Sequence, residues 1–134
     1  NLSRLDEESK EIIRKAEEMT AHCSNLLVQI AISYGGRDEI LRAVKQYASE
    51  VAAGLRDPDR LTEAEFASYL DTDGVPDIDL VIRTGGNRRL SNFFPWQTVY
   101  SEIWFTDVLW PDFSKADMKK ALDYFETIQI NKGK

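Results

Sequence analysis

Two short apolar runs in this chain each break into a pair of glycines with arginine close behind. That repeated figure narrows the fold more than anything else in the sequence. Leu26 to Ile32 runs into Ser33-Tyr34-Gly35-Gly36-Arg37, and Leu80 to Ile82 runs into Arg83-Thr84-Gly85-Gly86-Asn87-Arg88-Arg89. Nearly continuous apolar runs of this length read as strands covered on both faces, as in a parallel sheet. The glycines let the backbone turn through conformations that a side chain would forbid. A third buried strand is predicted over Ile103 to Thr106.

Helical patterns fill the intervals. With Ser3 as candidate cap, Ile12, Ile13, Ala16 and Met19 predict a helix from about Asp6 to His22. Ile40, Leu41, Val44, Tyr47, Ala48 and Val51 share one side of a second helix from about Asp38 to Ala53, which Gly54 stops. Thr62 and Glu65 form a T-x-x-E capping box for a short helix through Tyr69. Asn92 to Tyr100 reads as another short helix whose start Pro95 confines to the first turn. Ser114 with Asp117 caps a last helix from about Lys115 to Ile128, whose Met118, Leu122, Phe125 and Ile128 can pack on the sheet. Strands alternating with helices predict an α/β layered fold with a mainly parallel sheet and flanking helices. No repeat, low-complexity tract or linker divides residues 1–134, which form one domain on this reading.

Composition excludes several classes of function. A formal net charge of −6 argues against non-specific nucleic-acid binding, which rests on many phosphate contacts from Lys and Arg. No apolar run approaches the roughly 20 residues of a membrane span, and the start is not signal-like, so a cytoplasmic protein is expected. One cysteine, Cys23, rules out an internal disulfide and any multi-cysteine metal site.

Against that acidic background Arg83, Arg88 and Arg89 stand out, with no acid among them. Arginine's planar fork matches phosphate oxygens two at a time, Ser91 adds a hydroxyl donor, and glycines can bring backbone N–H groups close to an anion. The combination suits a diphosphate. Glu102 lies between apolar stretches where an unpaired carboxylate is costly, and Mg²⁺ is a natural partner for it. Plainer readings compete: the loop as a salt-bridged turn near Asp77 and Asp79, and Glu102 as partner of a neighbouring arginine. The adjacent His22 and Cys23 read as a helix terminus without chemistry, since sequence neighbours rarely face each other and no third partner is visible. Asp71 to Asp79 gathers four acids, but Gly74 comes fourth and Pro76 sixth, against the glycine at position six of a calcium loop; a solvated turn is predicted. Trp96, Trp104, Trp110, Phe105 and Phe113 read as core or subunit-interface residues. Neither common nucleotide-binding glycine motif occurs.

The arginine segment also resembles the C-terminal signature of the cis-prenyltransferases, the undecaprenyl diphosphate synthase family. That signature commonly reads R-T-x-G-x-x-R-x-S-N-F and then W-x-x-x-Y-x-E-x-x-F-x-D-x-x-W-P-D-F. This chain agrees at Arg83, Thr84, Gly86, Arg89, Ser91, Asn92, Phe93, Trp96, Tyr100, Glu102, Phe105, Asp107, Trp110, Pro111, Asp112 and Phe113. Tyr34-Gly35-Gly36-Arg37 resembles the family's N-Y-G-G-R, with Ser33 in place of the asparagine.

The resemblance implies the C-terminal half of the cis-prenyltransferase fold. It further implies that Arg83, Arg89 and Ser91 bind the diphosphate of isopentenyl diphosphate and that Glu102 helps hold Mg²⁺. The implied reaction adds that five-carbon unit, with cis geometry, to an allylic diphosphate to make a cis-polyprenyl diphosphate. A homodimer and peripheral membrane association through the lipid product are also implied. No catalytic residue is assigned, because the family's H-x-x-x-M-D-G-N-x-R-W stretch, which carries the central aspartate, is not among these residues. The alternative is therefore a catalytically silent diphosphate-binding or assembly subunit. Asn87-Arg88 stands where many members have Glu-His, and the tail from Gln129 to Lys134 lacks the basic, glycine-rich ending of many relatives.

Overall fold

The computed structural model describes residues 2–128; the tail from Gln129 and the residue Asn1 lie outside them. Four helices flank a two-stranded parallel sheet: α1 (Glu7–Thr20), α2 (Gly36–Ala52), α3 (Glu63–Ala67), β1 (Leu80–Arg83), β2 (Glu102–Phe105) and α4 (Lys115–Glu126). The parallel α/β character expected from the sequence is present, with Leu80 opposite Glu102, Val81 opposite Ile103, Ile82 opposite Trp104 and Arg83 opposite Phe105.

Asp6, not Ser3, caps α1, its carboxylate accepting the Ser9 N–H at 2.7 Å. The helix buries no residue. Its ion pairs, such as Lys10–Glu7 and Arg14–Glu11, are exposed and screened by solvent, so they add little. The run from Leu26 to Ile32 is not a strand: no described residue forms a ladder with it, and Leu26, Val28 and Ile30 are largely exposed. Apolar sequence supplies a preference for strand, whereas a strand exists only with a hydrogen-bonding neighbour.

The core lies between α2 and α3 with the turn that follows it, where Ala43, Phe66 and Leu70 are buried and Ile40, Tyr69 and Trp96 pack against them. Leu41 and Val44, expected on the inner side of α2, are exposed; Gly36, Glu39, Ala43 and Tyr47 are the buried positions. At the helix's far end the Tyr47 hydroxyl donates to the Asp57 carbonyl at 3.0 Å, and Gly54 ends the helix with φ +72°. Thr62 caps α3 through the Glu65 N–H at 3.1 Å, but the Glu65 carboxylate turns to Arg56 at 3.2 Å, so only half of the predicted box forms. The box at Ser114 and Asp117 is complete. α4 meets β2 through Trp104 and Tyr124, ring centroids 5.0 Å apart. Ala121 is its buried residue, whereas Met118 and Leu122 are exposed.

The helix predicted over 92–100 is absent. Those residues form successive turns, because Asn92 (φ +67°) and Phe94 (φ +46°) take left-handed backbone conformations that a helix cannot accommodate.

Candidate diphosphate site

Both glycine turns are docked, and the N–H groups of Gly36, Gly85 and Gly86 are taken by backbone carbonyls. At the second turn Gly85 (φ +81°) and Gly86 (φ +74°) adopt the left-handed conformation that glycine alone enters cheaply. Their N–H groups donate to the carbonyls of Val108 at 2.9 Å and Thr106 at 3.0 Å. At the first turn Gly35 occupies the N-cap of α2 and has no side chain to cap with. Asn92 does the capping from 55 residues away: its carbonyl accepts the Gly36 N–H at 2.8 Å and its side-chain oxygen accepts the Arg37 N–H at 2.9 Å. A Cβ on Gly36 would stand 2.0 Å from Cδ of Pro95, so only glycine permits this approach. The expectation that the glycines offer N–H groups to a ligand is thus corrected. With those amides engaged, the arginine side chains are the remaining charged donors of the two turns.

Those side chains are available. Arg4, Arg14, Arg42, Arg56 and Arg60 all form ion pairs, whereas Arg37, Arg83, Arg88 and Arg89 form none among the described residues. The four unpaired arginines are the ones on the two glycine turns. The salt-bridged alternative with Asp77 and Asp79 does not hold. Arg83 leaves the carboxyl end of β1 beside a cleft of about 370 Å³ lined by Val81, Ile82, Arg83, Thr84, Leu90 and Phe93. Its Nε is buried with no hydrogen-bond partner, a debt of about 1–3 kcal/mol that a bound acceptor would cancel. Ligands of open α/β sheets bind outside the carboxyl ends of strands.

The structure brings Arg89 and Ser91 together, Nε donating to the seryl Oγ at 3.3 Å. Ser91 itself has φ +52°. Three non-glycine residues held left-handed between 91 and 94 cost about 1–3 kcal/mol each and persist only where their surroundings over-determine them. Here the Asn92 cap and an aromatic cluster supply the constraint: the Tyr34 ring lies 6.0 Å from Phe93 and 4.6 Å from Phe94.

Glu102 is not gathered with the arginines. It is half-buried, opens β2 opposite Leu80 and forms no ion pair among the described residues, so it is not an arginine's partner. Three rungs separate it from the level of Arg83, about 10 Å along the strand, and alternation places the two on opposite faces. No group of three His, Cys, Asp or Glu able to hold a metal occurs among the described residues. Glu102 alone fits Mg²⁺ as one ligand, since that ion takes one or two carboxylates and completes its shell with phosphate oxygens and water.

Other expected features fall outside the site. The His22 and Cys23 side chains approach to 3.8 Å in an exposed position at the end of α1. Asp71 in the acidic turn is held by Arg42, at 2.5 and 3.0 Å. Trp96 joins the core, while Trp110 is 75% exposed and stacks on Phe113 with centroids 6.2 Å apart. Sequence reasoning missed Asn92 as a cap, Arg37 as an unpaired cation beside it, and the buried Glu39 behind both. The signal for Asn92 was its place next to Ser91; for Glu39 there was none.

A parallel sheet whose first strand ends in an unpaired arginine beside a cleft, with Arg89 and Ser91 joined on the loop that follows, defines an α/β protein with cations gathered at the carboxyl end of its sheet. The comparisons with known proteins say which. Residues 1–133 match the family model described as "Putative undecaprenyl diphosphate synthase", and the chain belongs to that family, the cis-prenyltransferases. It is 43% identical over 134 residues to the tritrans,polycis-undecaprenyl-diphosphate synthase (geranylgeranyl-diphosphate specific) of Thermoplasma volcanium, covering all of this chain and 52% of that protein. The isoprenyl transferase of Streptococcus thermophilus is 47% identical over 127 residues, 91% of this chain and 51% of its own. Among solved structures, lavandulyl diphosphate synthase from Lavandula x intermedia, in complex with dimethylallyl diphosphate, superposes with a TM-score of 0.96 at 37% identity, over 100% of this chain and 58% of that one. The chain spans about half the length of the curated relatives it matches.

Proposed function

We propose that this chain holds isopentenyl diphosphate for cis-prenyl transfer to an allylic diphosphate, with Arg83, Arg89 and Ser91 on the diphosphate. The observation that carries the reading is the set of unpaired arginines on the glycine turns, with the Arg83 Nε buried and unpartnered beside the cleft. Placed on the leaving or binding diphosphate, such cations stabilise charge without reorganising. Mg²⁺ belongs to the same proposal, with Glu102 as one ligand; when bound it would neutralise diphosphate charge. Homodimer formation is proposed through exposed apolar groups such as Leu109 and Trp110. No helix among the described residues is long and apolar enough to cross a membrane, so any membrane association is proposed to run through the lipid product.

A second reading, diphosphate binding without turnover, rests on the same unpaired arginines, which can hold an anion without supplying a catalytic group. Farnesyl diphosphate, labelled isopentenyl diphosphate and Mg²⁺ mixed with the chain separate the two. Elongated product supports the first reading. Binding of labelled isopentenyl diphosphate with no elongation supports the second, and no binding rejects both.

A further inference from the structure

The largest fully buried side chain in the described structure is a carboxylate, Glu39, at 1% exposure. It lies in the first turn of α2, two residues past Arg37. No ion pair compensates it among the described residues. Instead four hydrogen bonds converge on it: the Tyr34 hydroxyl donates at 2.6 Å, the Asp71 N–H at 2.8 Å, and the Gln97 amide to its two oxygens at 3.2 and 3.3 Å. The same Gln97 amide donates to Thr72 Oγ1 at 3.0 Å. A buried charge needs such partners or it is not tolerated.

The placement of those partners matters more than their number. Tyr34 immediately precedes the Gly35-Gly36-Arg37 turn, and Gln97 lies within the run of turns that begins at Ser91. Between these two anchors lie the contacts of Asn92 with Gly36 and Arg37 and the packing of Tyr34 on Phe93 and Phe94. One carboxylate thus fastens both sides of the seam on which the left-handed Ser91 and Asn92 depend. Burial, and then the bond to Glu39, push the Tyr34 hydroxyl above its usual range, so it stays a donor.

We propose that Glu39 is a positioning residue for the diphosphate site: through Tyr34 and Gln97 it locks the first glycine turn against the 91–97 segment and so fixes Ser91, and the loop of Arg89, for the ligand. This rests on the diphosphate reading above and adds to it a group that never touches the ligand. In Glu39→Gln the shape is kept, but the new amide N–H₂ faces that of Gln97, donor against donor. The double variant Glu39→Gln with Gln97→Glu restores an amide opposite a carboxylate.

The test is calorimetric titration of isopentenyl diphosphate, and of inorganic diphosphate, into the unsubstituted chain and its variants, with thermal midpoints measured alongside. Glu39→Gln is expected to weaken binding about tenfold, and Tyr34→Phe, which removes one donor and keeps the ring contacts, about threefold. The double variant recovers most of the loss. Should Glu39→Gln fold poorly, Tyr34→Phe carries the test. Parental affinity in folded Glu39→Gln and Tyr34→Phe overturns the positioning role while leaving the diphosphate reading intact. No binding by the unsubstituted chain overturns that reading, and this inference with it.

Discussion

The runs Leu26–Ile32 and Leu80–Arg83 are alike in sequence and opposite in circumstance. Each is apolar and each feeds a glycine pair followed by arginine. Leu80–Arg83 is half-buried and laddered to β2, whereas the earlier run has no ladder among the described residues and leaves Leu27 69% exposed. Their glycine turns, however, are equally well held, one by Asn92 and one by the carbonyls of Thr106 and Val108. The difference teaches that order at the site does not come from the first run. It comes from the seam between the start of α2 and residues 91–97, and from the buried group behind it.

Substitutions can break or sharpen that comparison. Gly36→Ala should have the largest effect, because its Cβ would meet Pro95 at 2.0 Å and the Asn92 carbonyl at 3.2 Å. A loss of about 3 kcal/mol in urea unfolding is expected from overpacking of this kind. Parental stability would mean that the seam is looser than described. Asn92→Ala removes the side-chain half of the remote cap, and about 1 kcal/mol should go with it in the same measurement.

At α4 the Ser114 hydroxyl and then Lys120 hold the Asp117 carboxyl at about 2, below its ordinary 3.8. A depressed carboxyl stabilises the fold above its unfolded value and loses that contribution as pH falls through the folded one. Helical ellipticity should therefore drop between about pH 4 and pH 2, and Asp117→Asn should remove the share of that step due to α4, leaving the shares of Asp6, Glu11 and Glu50, whose carboxyls are also held below their ordinary values. The smallest effect is expected at Ile30, 78% exposed, where Ile30→Asp should change stability by less than about 0.5 kcal/mol. A loss of several times that amount would place this run in a packed environment and erase the contrast.

How much the sequence foretold follows the range of the interactions involved. The complete capping box at Ser114, the stop at Gly54 and the strand of Leu80 were legible because each depends on neighbours a few residues away. The Arg89–Ser91 pair was legible for the same reason. Asn92 capping a helix 55 positions earlier was not, because capping rules look only at adjacent residues. Glu39, in the first turn of a helix, reads as an ordinary surface acid favoured by the helix dipole; only packing reveals that it is buried. The glycine amides were assigned to a ligand because their backbone acceptors at Thr106 and Val108 lie some twenty residues downstream. At residues 92–100 Pro95 was noticed, while the left-handed Asn92 and Phe94 left no mark on the pattern.

The central claim is that side chains, not backbone amides, hold a diphosphate here. Titration of isopentenyl diphosphate into the chain, Arg83→Ala and Arg89→Ala tests it most directly. Each variant is predicted to bind more weakly by about 1.5 to 3 kcal/mol, as for a lost charge-assisted hydrogen bond. Unchanged affinity in both would contradict the account.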